Sequence, residues 1–237
     1  MGVNIFNDSI IGCKMGTDTI DAIYQGTELL YSSVPPEPKF IATYSDSTTY
    51  SAACDSTTAL TFFDVKPSGY TASAMTSAEI GDCVTSIETA AFSGCTSLTS
   101  CTIPDSITSI GYRAFYNCVS LSSITIPNSV INLDGFQNCV SLTSVDIPDS
   151  VTTIGSFGSC SGMTSLTIGS GVTTISTMAF TSCRSLQSII IRAVNPPTNG
   201  GAIFNNTNNC PIYVPIESVN AYKTAWPDYA DRIQAIT

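Results

Sequence analysis

One phrase recurs down the chain. It reads "LTSCTIPDSITSIGYRAFYNCVS" from Leu98, "LSSITIPNSVINLDGFQNCVS" from Leu121, "LTSVDIPDSVTTIGSFGSCSG" from Leu142 and "MTSLTIGSGVTTISTMAFTSCRS" from Met163, with a partial copy from Ala78 and a divergent one from Leu186. Self-similarity at this period means that each unit cannot bury its own apolar side and must pack on its neighbours. The chain is thereby restricted to a solenoid, and any residue of interest acts from a defined slot of a coil.

The unit from Leu142 to Gly162 shows how one coil is made. Leu142, Val145 and Ile147 face inward from a short strand while Thr143 and Asp146 face outward, as a period of two requires. Pro148 ends the strand, Asp149 and Ser150 make a corner, Val151 and Ile154 turn inward again, and Phe157 and Cys160 close the coil. Stacked coils align these slots into columns: Phe92, Phe115, Phe136, Phe157 and Phe180 for one, Cys101, Ile124, Val145, Leu166 and Ile189 for another. The expectation is a β-rich, right-handed solenoid of five or six coils about 4.8 Å apart, with parallel strands on one face.

Cysteine usage agrees. Cys95, Cys118, Cys139, Cys160 and Cys183 are 23, 21, 21 and 23 residues apart, and no CxxC occurs. That spacing reads as one repeated slot filled by reduced, buried thiols that pack as small apolar groups. The chain has no histidine, which removes the common zinc sites and every Ser-His-Asp or Cys-His arrangement. No metal site, cofactor or catalytic residue is expected. Carboxylates of the repeats, such as Asp105, Asp146 and Asp149, fall at corners and outward positions with no opposed wall for paired acid and base chemistry. "GSG" at Gly169 to Gly171 stands where other coils have "PDS" and reads as a corner, not as a phosphate loop. A net charge of −10 repels nucleic acid and anionic lipid, and no apolar run is long enough to span a membrane.

Leucine, isoleucine, "IP", "DSVTSIG", "AF" and cysteine in this order resemble the BspA type of leucine-rich repeat, found in gut bacteria and in phages that infect them. The resemblance covers about Ala78 to Ile236 and implies a non-enzymatic display or adhesion protein. "CPIYVPIESVNAYKTAWPDYADRIQAI" at 210–236 is similar to the terminal cap of that family, with Val219, Tyr222 and Trp226 at helical spacing to cover the last coil and Pro227 to end the helix.

The rest of the chain divides by composition. Residues 1–33 alternate around turn signals as a small β module of three or four strands, 34–38 ("VPPEP") form a stiff linker, 39–77 lead into the solenoid as a β cap, 78–210 are the coils and 211–237 the C-terminal cap. The first module resembles N-terminal modules of phage virion proteins, and it is assigned attachment to other virion or surface proteins, or formation of a homo-oligomer. The opening residues lack the basic start and apolar core of a secretory signal. A virion component is therefore preferred over a BspA-like bacterial surface adhesin, the solenoid in either case meeting a host-surface glycan or protein.

Two surfaces are candidates for that contact. The first is the outward strand row Thr102, Thr125, Asp146 and Thr167. The second arises because Leu133 to Phe136 and Ile154 to Phe157 are three residues apart, where Ile110 to Phe115 and Ile175 to Phe180 are five. Coils from Leu121 and Leu142 have thus lost two residues from one turn. The loss is either drift in a surface turn or a shallow groove flanked by Tyr112, Arg113 and Tyr116.

Overall fold

The structure, a computed structural model, describes residues 10–15, 20–25, 28–32, 38–53, 59–61 and 71–236. The chain splits into two compact units, Met1–Glu37 and Pro38–Thr237. In the first, strands Ile10–Met15, Ile20–Gln25 and Glu28–Ser32 pair antiparallel in sequence order. Residues 34–37 of the expected linker lie outside the described residues, and Pro38 already opens the first strand of the second unit.

The second unit is the solenoid. Seven two-residue strands, from Ala59–Leu60 to Thr198–Asn199, form one continuous parallel sheet with a single strand from each coil. The other face is not continuous. Its N-terminal part pairs Pro38–Tyr44 antiparallel with Thr49–Ala53 and Met75–Ile80, and the latter runs parallel to Ser100–Thr102. A separate parallel sheet starts at Ser144–Ile147 and ends at Ile233–Ala235. Between them, residues 121–127 form no strand. The expected unbroken strand row is therefore interrupted at Ile124, which still packs on the core, and at Thr125, which is exposed. The break falls in the first of the two short coils.

Register between coils is fixed by the core. Phe92, Phe115, Phe136, Phe157 and Phe180 are fully buried and stack ring on ring, with centroids 4.8, 4.9, 5.0 and 5.5 Å apart and interplanar angles of 3 to 18°. Phe204 extends the stack at 5.6 Å. Edge-on aromatics close both ends: Phe40 against Phe92, and Trp226 and Tyr229 against Phe204. The C-terminal helix Val219–Ala225 exists to bring this cap into place. Buried Tyr222 donates to the Ala193 carbonyl at 2.8 Å, and buried Trp226 donates through Nε1 to the Pro197 carbonyl at 3.1 Å, so both polar handles are satisfied.

The cysteine column does more than fill space. Four successive thiols donate to the carbonyl of the phenylalanine one coil earlier: Cys118 to Phe92 at 3.3 Å, Cys139 to Phe115 at 3.2 Å, Cys160 to Phe136 at 3.0 Å and Cys183 to Phe157 at 3.3 Å. The same carbonyls accept the N–H of the cysteine in their own coil. A thiol supplies a weak donor at the volume of an apolar side chain, a combination that valine or alanine lacks. Cys95, Cys118, Cys139, Cys160, Cys183 and Cys210 are buried and form no disulfide. Cys83, outside the column, is disulfide-bonded.

Corners use hydroxyls for the same purpose. Thr152 Oγ1 donates to the Ile131 carbonyl, Thr173 to Thr152, Thr198 to Thr173, and Ser106, Ser129 and Ser150 to Val84, Ile107 and Val130. The abundance of Ser and Thr is thus tied to capping carbonyls from coil to coil, leaving fewer hydroxyls for a ligand than composition suggests. At the "GSG" corner a Cβ on Gly169 would lie 2.5 Å from the Pro148 backbone and one on Gly171 would fall on the Asp149 carbonyl, so this corner is glycine because the neighbouring coil is too close.

Three outcomes follow for stability and thiol reactivity. Phe136→Ala opens a cavity in the middle of the stack and lowers unfolding free energy by about 3 to 5 kcal/mol, measured by denaturant titration. Burial pushes the Cys118 thiol well above the ordinary 9.0, with the neighbouring cysteines adding to the shift, and Cys160 is raised by its thiol neighbours and by burial. Folded Cys118 and Cys160 therefore keep their protons where the unfolded thiols lose them. This contribution is complete below pH 9.0 and is lost as pH rises above it. Melting temperature should fall steadily as pH rises from about 9 to about 10.5, and the buried thiols should react with a disulfide reagent only on unfolding.

Candidate functional site: a cleft over the two short coils

Each coil bends just before its phenylalanine, and the bend is where the coils differ. In long coils it carries a residue in the left-handed region, Ala90 (φ 60°), Arg113 (φ 55°) and Met178 (φ 57°). Coils from Leu121 and Leu142 omit this residue and its neighbour and cut the corner with "DGF" and "GSF". Gly135 makes the shortcut at φ +102°, where a Cβ would lie 2.5 Å from Ala114 N and 2.6 Å from the Gly111 carbonyl. Two adjacent missing bends leave a cleft of about 590 Å³. It is three coil spacings long, about 15 Å.

Tyr112, Arg113 and Tyr116 form one wall, and Thr177, Met178 and Thr181 the other. Tyr112 and Met178 are each 50% exposed. The Arg113 guanidinium lies 5.0 Å from the ring centroids of both Tyr112 and Tyr116 and so holds the wall together. Asp134, Gln137, Asn138, Ser156 and Ser159 line the floor. The Asp134 carboxylate accepts the N–H groups of Gly135 and, at 2.7 Å, Ser156, and a Cβ on Gly155 would fall on it. Gln137 Oε1 is buried and has no hydrogen-bond partner among the described residues.

The missing bends also interrupt a backbone ladder. Ala90 N donates to the Tyr112 carbonyl of the next coil at 3.0 Å, and Met178 N to the Gly201 carbonyl at 3.2 Å. Arg113 N–H, in the same slot, faces a coil that lacks the accepting residue and has no carbonyl opposite it among the described residues. The Thr177 carbonyl on the far wall likewise receives no N–H from the preceding coil. One donor and one acceptor thus look into the cleft from opposite ends.

The strand row is less coherent. Thr102 ends the N-terminal sheet, Thr125 is in the irregular segment, and only Asp146 and Thr167 are direct neighbours. A smaller hollow of about 270 Å³ lies over the sheet break, lined by Thr125, Asn128, Asp146, Asp149 and Arg192 among others. Arg192 Nη1 is 3.9 Å from Asp146 Oδ1, an exposed pair that contributes little. Asp149 accepts the Ser170 N–H, which holds its carboxyl below the usual range. Among the described residues no group of three or more His, Cys, Asp or Glu could hold a metal ion, and no helix is long and apolar enough to cross a membrane.

The profile of the BspA type leucine rich repeat region matches this chain at residues 64–156 and 130–224, in six copies. The chain belongs to the BspA-type leucine-rich repeat family. Solved structures of similar fold include a leucine rich repeat protein of T. pallidum, 27% identical over 66% of this chain and 71% of that one, with a TM-score of 0.53. A leucine rich cell surface protein of Faecalibacterium prausnitzii is 24% identical over 89% of this chain and 56% of that one, TM-score 0.53. A leucine-rich repeat protein of Eubacterium ventriosum is 22% identical over 70% and 50%, TM-score 0.50. No curated protein matches the chain.

Within this BspA-type solenoid the sequence pointed to Tyr112, Arg113 and Tyr116 as a flank, and the structure brings them together on one wall. Asp134, Gln137, Thr177 and Met178 were not singled out. Counting residues across the repeats shows where the gap is, but which side chains border it depends on three-dimensional neighbours one and two coils away. Gly135→Ala should lower stability by about 1 to 3 kcal/mol, because the shortcut demands positive φ and close backbone approach. Gly158→Ala, whose added Cβ would meet the flexible Thr181 methyl at 3.3 Å, should cost less in the same denaturant titration.

Proposed function

We propose that this BspA-type protein is a non-enzymatic recognition protein, displayed on a surface and binding through the cleft between Tyr112 and Met178. The observation that carries the reading is the cleft itself, lined by hydroxyls, amides and aromatic rings at a place where the repeat has been shortened twice in succession. A solenoid presents such a site on a rigid frame, and many copies multiply a weak affinity through avidity. The antiparallel unit at Met1–Glu37 is assigned attachment or oligomerisation.

Bacterial surface display is preferred here to the virion placement favoured from the sequence. The structural relatives named above are bacterial proteins, and the name of the F. prausnitzii protein describes it as a cell surface protein. A disulfide at Cys83 also suits an oxidising compartment.

Beads coated with the full chain should adhere to mucin-coated or epithelial-cell surfaces. Adhesion should be lost with Thr177→Trp, which obstructs the cleft, and kept with Asp146→Lys on the strand face. Retention with the first variant and loss with the second would move the site to the strand row; no adhesion to either surface would contradict a recognition role.

A further inference from the structure

The geometry points to a neutral oligosaccharide of a few sugar units as the ligand of the cleft, an assignment that rests on the recognition role just proposed. Four features select it. The ring of Tyr112, half exposed at the rim, offers a flat apolar face with a hydroxyl at its edge, suited to the apolar face and hydroxyl rim of a sugar ring. The floor supplies uncharged groups that both donate and accept: the amides of Gln137 and Asn138 and the hydroxyls of Ser156 and Ser159. Gln137 Oε1 is buried without a partner among the described residues, and rotation of this amide toward the cleft would let a ligand hydroxyl satisfy it. Arg113 N–H and the Thr177 carbonyl add one donor and one acceptor at the two ends.

Charge and backbone geometry argue against the other ligand classes. The net charge of −10 works against an anionic ligand, and the Asp134 carboxylate is already held by two backbone N–H groups, so a cationic ligand gains little there. A peptide strand would need a row of alternating N–H and C=O groups along one edge. Each wall offers a single group, three coils apart. The cleft is open and mixed in character, without a deep apolar pocket for an aromatic or aliphatic anchor.

The test is an array of neutral oligosaccharides with sialylated and sulfated ones for comparison, probed with the full chain, followed by calorimetry on free trisaccharides. At least one neutral trisaccharide should bind with Kd near or below about 1 mM, and the anionic forms no better. Tyr112→Ala and Gln137→Leu should each weaken binding about tenfold or more, and Tyr112→Phe should keep most of it. Tyr112 is half exposed at the rim and Gln137 is partly buried in the floor, and unchanged melting temperatures would confirm folding; if Gln137→Leu unfolds, Tyr112→Ala decides. Adhesion of coated beads that depends on the cleft, with no sugar bound and no competition by free trisaccharide, would overturn the sugar assignment while leaving the recognition role intact. Sugar binding unaffected by Tyr112→Ala would overturn the site.

Discussion

The stack of phenylalanine rings is the interaction on which the rest of the solenoid depends. Rings held near 5 Å from Phe92 to Phe157 set the distance between coils, and that distance lets every other column work. At this spacing a cysteine reaches the phenylalanine carbonyl of the coil before it, and a corner threonine reaches the carbonyl below it. Three kinds of column, aromatic, thiol and hydroxyl, thus report the same repeat distance. Truncating a ring removes area and also the registration of two hydrogen-bond ladders. This consistency between local and global preferences specifies the fold more strongly than any one contact.

A stack can tolerate a change in coil length provided the change lies away from the rings. Phe115 to Phe136 to Phe157 crosses both shortened coils without losing its parallel packing, since the missing residues come from the bend outside the core. The consequence appears on the surface, as a cleft whose walls are the bends of the flanking long coils. Unpaired ladder groups at Arg113 and Thr177 follow from the same omission. Surface shape and fold are therefore separated within each coil: the core slots are held constant and the bend is free to vary.

Much of the solenoid was legible in the sequence because its slots are filled by distinctive residues. Phe, Cys and the "IP" corner mark their positions without any structure, and the C-terminal cap was visible in Tyr222 and Trp226. Sequence could not reveal that the thiols donate to carbonyls, since a packing thiol and a donating thiol leave the same letter at the same period. The sheet break at 121–127 was also hidden, because Ile124 and Ile126 keep the alternation of a strand while the backbone ladder is absent. A recurring left-handed residue before each cysteine, Gly94, Asn117, Asn138, Ser159 and Ser182, could have been read as a turn from its glycine and asparagine members. Candidate wall residues were partly found, at Tyr112, Arg113 and Tyr116. The opposite wall was missed because it belongs to a coil 65 residues further on in the chain.

The central claim, that shortening two successive bends creates the recognition site, is tested most directly by restoring them. A variant with two residues inserted before Phe136 and two before Phe157, matching the bend of the coil from Leu98, would complete the ladder between Arg113 and Thr177 and fill the cleft. Adhesion of beads coated with this variant, compared with the native chain at equal density, is the measurement. The variant should fold with a melting temperature at or above the native value and fail to adhere. Adhesion at the native level by a folded, filled-in solenoid would contradict the claim.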